Sequence, residues 1–151
     1  MKPPKKNISE TETASDPAIA YSNMSTRLFL VENAILQTRK GLNASHLQLI
    51  RKQTELELQE LAKITQVTTR TLHNKKNDEP LGTTASEKLI SLMRLFKRGT
   101  EVFGSEQSFK KWLKTSLPVL KNETPLQQLD TVFGFELVSD MLGKIEHGVL
   151  A

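Results

Sequence analysis

The chain has 151 residues, 37% of them hydrophobic, with 21 Lys or Arg against 17 Asp or Glu and no cysteine. That length suits one compact domain or two small helical ones, and the missing cysteines exclude disulfides and thiolate metal sites. No stretch approaches the roughly twenty apolar residues of a membrane span. Lys2, Lys5 and Lys6 have no apolar run behind them, so no secretory signal is expected and the reading is of a cytoplasmic protein.

The net charge of +4 is unevenly spread. Residues 1–20 sum to zero, 21–58 to +2, 59–80 to +1, 81–120 to +4 and 121–151 to −3. A basic body permits an anionic partner such as DNA without requiring one.

Residues 1–24 read as a flexible arm, because Pro, Lys, Ser, Thr, Asn and Glu dominate and apolar residues are too sparse to offset ordering entropy. Order is expected from Thr26, where Leu28, Val31, Ile35 and Leu36 form a helical stripe thickened by Phe29 and Leu30. Gly41 ends that helix after Arg39 and Lys40, whose charges suit a helix C-terminus. Asn43 caps a second helix carrying Leu47, Leu49 and Ile50. Thr54, with Glu57 as a capping box, opens a third, whose stripe is Leu58, Leu61, Ala62 and Thr65. After a short break at residues 65–67, Thr68 caps a fourth helix over 69–76.

Residues 77–82, NDEPLG, read as a linker. Thr84 and Glu87 then form a capping box for a long helix with Leu89, Leu92, Met93, Phe96 and Phe103 on one side, closed by Gly104. Ser105 starts the next helix, with Phe109, Trp112 and Leu113 on one face and Lys110, Lys111 and Lys114 on a solvated one. Pro118 lies in a loop. Thr124, Pro125 and Gln127 give a strong helix start, with a cap, a proline at the first position and a closing glutamine. The final helix is expected from Gly134, with Leu137, Val138, Met141, Leu142 and Ile145 as its stripe and Gly148 as its stop. Val149, Leu150 and Ala151 form a short apolar tail with two possible homes: the chain's own core, which the residue pattern alone puts first, or a pocket on another protein. No sustained period-two alternation is present, so the fold class is all-α.

Little in the sequence suits catalysis. His46, His73 and His147 fall on different helices, and there is no HExxH, glycine-rich phosphate loop or nucleophile elbow. Asp78 and Glu79 lie in a turn-rich segment, where solvation explains them. No enzyme, cofactor or metal is expected. The aromatic residues Phe96, Phe103, Phe109 and Trp112 have the spacing of a core.

The third and fourth helices are more informative. A helix-turn-helix needs a small residue where the helices cross, a tight turn, and apolar residues that lock the second helix. Leu61 and Ala62, Val67 and Leu72 supply these. The second helix then presents Thr69, Arg70, Thr71, His73, Asn74, Lys75 and Lys76, side chains suited to base edges and phosphates. The turn position usually taken by glycine is Gln66, and a later position often apolar is Lys75. Polar second helices also occur in plain bundles, and both readings stand at this level.

From Leu61 onward the chain resembles the Xre-type antitoxins that pair with RES-domain toxins, the Xre/MbcA/ParS family. The resemblance rests on LAKITQVTTRTL at 61–72, EVFG at 101–104, Trp112-Leu113, TPL at 124–126 and LGKIEHGVLA at 142–151, in that order and spacing. It implies a bacterial, cytoplasmic, dimeric protein with no cofactor. It further implies a helix-turn-helix DNA-binding module at 25–80, a C-terminal toxin-binding domain at 81–151, and repression of its own operon. The toxin-blocking segment would be Lys144, Glu146, His147, Gly148, Val149, Leu150 and Ala151, entering the active-site cleft of a toxin that consumes NAD. The DNA-reading side would be Thr69, Arg70, Thr71, His73, Asn74 and Lys75. Two other readings remain open: a stand-alone repressor whose C-terminal half only dimerises, and an adaptor whose helix-turn-helix is structural.

Overall fold

The computed structural model describes residues 31–149 except Asn77. The arm at 1–24 and the residues Leu28, Phe29 and Leu30 lie outside them, as do Leu150 and Ala151. The described chain is all-α, with one short 3-10 turn at Pro118–Leu120 and no strand among the described residues. Its helices are α1 (Val31–Lys40), α2 (Ala44–Thr54), α3 (Leu58–Thr65), α4 (Thr69–Asn74), α5 (Thr83–Phe103), α6 (Glu106–Leu113), α7 (Pro125–Gln128) and α8 (Val132–Glu146).

The longest helix, α5, is the hub. It packs against α1, α2, α3, α6 and α8. Its sequence explains why: Ala85, Leu89, Ile90, Leu92, Met93, Leu95 and Phe96 are all buried, so the apolar surface is too wide for one neighbour to cover. A single hydrophobic cluster runs from Ala34 through Leu61, Leu89 and Phe109 to Leu142. Phe96 meets Phe109 edge to face at 5.1 Å, and Trp112 lies 6.0 Å from Phe109 in a stacked pair. The aromatic residues are core, as their spacing predicts.

Local signals place most helix starts. Asn43 Oδ1 accepts from the His46 amide at 3.2 Å, Thr68 Oγ1 from Thr71, Ser105 Oγ from Ser108, and Thr124 Oγ1 from Gln127. Gln127 Oε1 returns the bond to the Thr124 amide at 2.8 Å, completing the expected box. Three starts differ from the expectation. Thr54 ends α2 instead of opening α3: it is buried, and its hydroxyl donates to the Ile50 carbonyl at 2.7 Å. Glu55 then turns left-handed (φ 58°), and Glu57 caps α3, with its amide donating to Glu60 at 2.7 Å. α5 starts at Thr83 behind Gly82, one residue before the expected Thr84 cap. α8 starts at Val132 under a Thr131 cap, two residues before Gly134. The short helix α4 stops at Asn74 rather than Lys76.

Packing also rearranges what the sequence suggests at three further places. On α1, Ala34 enters the core while Ile35 and Leu36 are exposed, because the close approach to α5 runs through the small side chain. The segment read as a linker is pinned at its end. Leu81 is buried, its amide donates to the Leu42 carbonyl at 2.6 Å, and the Leu42 amide donates to the buried Ser86 hydroxyl at 2.9 Å. The lysines of α6 are not simply solvated. Lys110 is tucked under the α2–α3 corner, with Nζ 2.9 Å from Glu55 and 3.7 Å from Glu106, and Lys114 is 3.7 Å from Glu60.

The closest packing in the hub is at Gly99. It lies face down on Phe109, and a Cβ there would fall onto the ring. Phe109 cannot retreat, since it is fully buried among Phe96, Phe103 and Trp112. Gly99→Ala is therefore expected to destabilise by about 1–3 kcal/mol through overpacking, overriding the roughly 0.5–1 kcal/mol that alanine gains in a helix. Urea unfolding followed by ellipticity checks this; equal or higher stability would show that the ring has room to move.

Candidate DNA-facing and partner-facing surfaces

The α3–turn–α4 unit forms as the helix-turn-helix argument requires. Leu61, Ile64 and Thr65 face the core, Ala62 and Val67 pack against it, and Leu72 locks α4 down. Gln66 takes the left-handed turn position that glycine usually fills, with φ 59°. Its side chain helps hold the turn: Nε2 donates to the Lys63 carbonyl at 2.9 Å and reaches the Asp130 carbonyl at 3.4 Å.

Locking Leu72 inward leaves Thr69, Arg70, Thr71, His73 and Asn74 exposed on α4. Lys75 behaves differently. It follows the helix end and turns back, with Nζ bonding Glu79 Oε1 at 2.9 Å and the Pro80 carbonyl at 3.1 Å. That hydrogen bond and the ammonium charge hold the Glu79 carboxyl below its ordinary value. Two residues that the sequence reading passed over, Gln48 and Arg51 of α2, line a shallow groove with His73 and Lys75. No local pattern in α2 signals this, because only tertiary packing sets α2 beside α4. Acidic residues at the α2–α3 corner would spoil a phosphate-facing surface. The lysines of α6 offset them: a hydrogen bond from Lys110, with its charge, holds the Glu55 carboxyl low, and Lys114 lies beside Glu60.

The opposite end of the chain is built on α8. Gly134, Val138, Met141 and Leu142 face inward, with Val138 and Leu142 fully buried. Leu137 is exposed and Ile145 only half-buried, so the expected stripe is shifted towards Gly134. The shift follows from Gly134, which packs so tightly on the Gln128 backbone that no Cβ would fit. Arg98 of α5, unmarked in the sequence reading, reaches across Gly143 to α8. Its Nη1 donates to Ser139 Oγ at 2.9 Å, and Nη2 lies 3.7 Å from Glu146.

α8 ends in a Schellman turn. Gly148 is left-handed (φ 69°), its amide donates to the Ile145 carbonyl at 3.0 Å, and the Val149 amide donates to Lys144 at 2.8 Å. Of the expected tail segment, Lys144, Glu146, His147, Gly148 and Val149 are all exposed, Val149 by 69%. The reading that puts the tail in the chain's own core fails at Val149. Glu146 is drawn towards Arg98, with Oε2 3.7 Å from Nη2.

These features define a helix-turn-helix protein with a second small helical domain built on the same core. Residues 34–94 match the antitoxin Xre-like helix-turn-helix domain, and residues 98–148 match the antitoxin Xre/MbcA/ParS C-terminal toxin-binding domain. The chain belongs to the Xre-type antitoxins. It is also 28% identical over 123 residues to the Prs ADP-ribosylating antitoxin of Sphingobium sp. (strain YBL2), across 75% of this chain and 77% of that protein. The two matched stretches meet inside α5. Among the described residues, no helix is long and apolar enough to cross a membrane, and no group of three or more His, Asp or Glu could hold a metal ion.

The turn yields a direct check. A β-branched side chain tolerates the left-handed region poorly. Gln66→Val is expected to cost about 1–2 kcal/mol, whereas Gln66→Gly should leave stability close to that of the parent. Thermal melts of the two variants decide it, and equal losses would mean that the side-chain bonds of Gln66, not its backbone, hold the turn.

Proposed function

We propose that this chain neutralises a RES-domain toxin that consumes NAD, by laying its C-terminal tail into the toxin's active-site cleft. As a homodimer it also represses its own operon through α4. Residues 25–80 form the DNA-facing module and residues 81–151 the toxin-facing one, and α5 of the second packs against α1, α2 and α3 of the first. The observation that carries this reading is the end of α8. The helix is ended by a left-handed Gly148, and the apolar Val149 behind it is exposed instead of entering the chain's own core. An apolar segment behind a helix-ending glycine can fill a narrow pocket without stranding charge. The name of the Sphingobium relative speaks of ADP-ribosylation, a reaction whose donor is NAD, and this supports an NAD-consuming toxin here.

Removing residues 149–151 should leave the melting temperature nearly unchanged, since Val149 is exposed and contributes only one helix-ending hydrogen bond, from its amide to Lys144. It should abolish protection of cells that coexpress a RES-domain toxin which the full chain neutralises. Full protection by the truncated chain overturns the tail assignment.

For the DNA side, exposed Arg70 stands on the helix that a groove would receive. Arg70→Ala is expected to weaken operator binding by about tenfold or more. If Arg70 instead contacts a phosphate, the slope of log affinity against log salt should fall by about one. Gel-shift titrations at several salt concentrations measure both; an unchanged affinity removes α4 as the reading helix. The competing reading, a stand-alone repressor, predicts specific operator binding and no copurification with the protein encoded by the neighbouring gene.

A further inference from the structure

Seven large apolar side chains are exposed among the described residues, and four of them sit on α8 or directly after it: Val132, Phe133, Leu137 and Val149. Phe133 is the most open, at 80%. It does not belong to a frayed end. Thr131 Oγ1 accepts from the Gly134 amide at 3.0 Å, and the Lys88 ammonium bonds the Asp130 carbonyl at 2.6 Å. Gly134, packed on the Gln128 backbone, closes the space behind the turn. The backbone of the first turn of α8 is fixed from the rear, and Phe133 is exposed on its outer side. A large ring with only two side-chain torsions, carried on backbone already in place, costs little ordering entropy on binding, which suits an interface anchor.

We propose that Phe133, flanked by Val132 and Leu137, is a second anchor for the toxin and fills an apolar pocket beside the cleft that the tail enters. The proposal rests on the tail reading above. Phe133, Leu137, Asp140, Lys144 and His147 recur at i, i+4, i+7, i+11 and i+14, so they share one helix face, and all five are exposed. The face therefore runs unbroken from the apolar first turn to the tail, within the stretch that matches a toxin-binding domain. Its length from Phe133 to His147 is about 21 Å, which one partner can span. The three apolar side chains alone fall well short of the roughly 800 Å² per partner that a stable dimer removes from water. Extended along α8, the face takes in Asp140, Lys144 and His147 and reaches the surface assigned to the toxin. A second copy of this chain is the competing occupant.

The test uses the full chain and the purified protein encoded by the neighbouring gene, with Phe133→Ser, Leu137→Ser and the chain lacking residues 149–151. Affinity for that protein is measured by calorimetry, molar mass by light scattering, and folding by ellipticity. Both serine variants should fold normally, because their side chains are exposed. The expected result is that Phe133→Ser weakens toxin binding by about 30-fold or more, mainly through faster dissociation, with molar mass unchanged; Leu137→Ser should show a smaller loss. Unchanged toxin affinity in Phe133→Ser overturns the proposal, and a simultaneous drop from dimer to monomer would assign the face to a second copy. Loss of binding on removing the tail, with full binding by Phe133→Ser, leaves the tail reading standing and removes the anchor. If the parent chain itself does not bind the neighbouring protein, the toxin reading falls and the anchor with it.

Discussion

The architecture depends on the burial of α5. Its apolar positions cover so much of its circumference that α1, α2, α3, α6 and α8 are all needed to shield them from water. This is why two stretches with separate family matches form one hydrophobic cluster, and why their boundary falls inside a helix. At a rough 25 cal/mol for each Å² of apolar surface buried, such a shared core dominates any single polar contact between the two parts. Gly99 sets how closely α6 can approach, and with it the position of the aromatic cluster.

Polar contacts then fix the register between the parts. Lys110 and Lys114 of α6 meet Glu55 and Glu60 at the corner leading into α3. Gln66 and Lys88 both reach the Asp130 carbonyl, just ahead of α8. Exposed ion pairs contribute little each, but Lys110 is nearly buried and its partner is held ionised, so this pair sets geometry as well as charge. The turn of the helix-turn-helix and the start of α8 are thereby neighbours. An alteration at either should be felt at the other through two side chains and one carbonyl.

The two outward surfaces contrast in chemistry. The α4 side is polar, with Arg70 and His73 exposed on it and the cation of Arg51 contributed by α2. The α8 side is apolar at one end, at Phe133, and apolar again at Val149, with Asp140 and Lys144 between. A phosphate backbone suits the first surface and a pocketed protein suits the second.

Much of the local structure is legible in the residues themselves. Asn43, Thr68, Ser105 and Thr124 cap the helices they are expected to cap, and Gly41, Gly104 and Gly148 turn left-handed where the chain must stop. Helical periodicity gives the all-α class, and the order of short motifs gives the family. These are short-range properties, set by side chains bonding to backbone groups a few positions away. What lies further apart in sequence is decided only by packing. Thr54 becomes a buried helix end because Glu55 turns left-handed; Ile35 and Leu36 are left outside because Ala34 allows the closer approach; Phe133 is turned out because Gly134 is pressed onto Gln128. Periodicity shows that a helix has an apolar side but not how much of it a neighbour will cover. The sequence by itself determined the helices, their caps and the kinship of the chain. Only the tertiary structure decided which apolar side chains remain exposed, because that depends on side-chain volumes meeting across helices that no local pattern brings together.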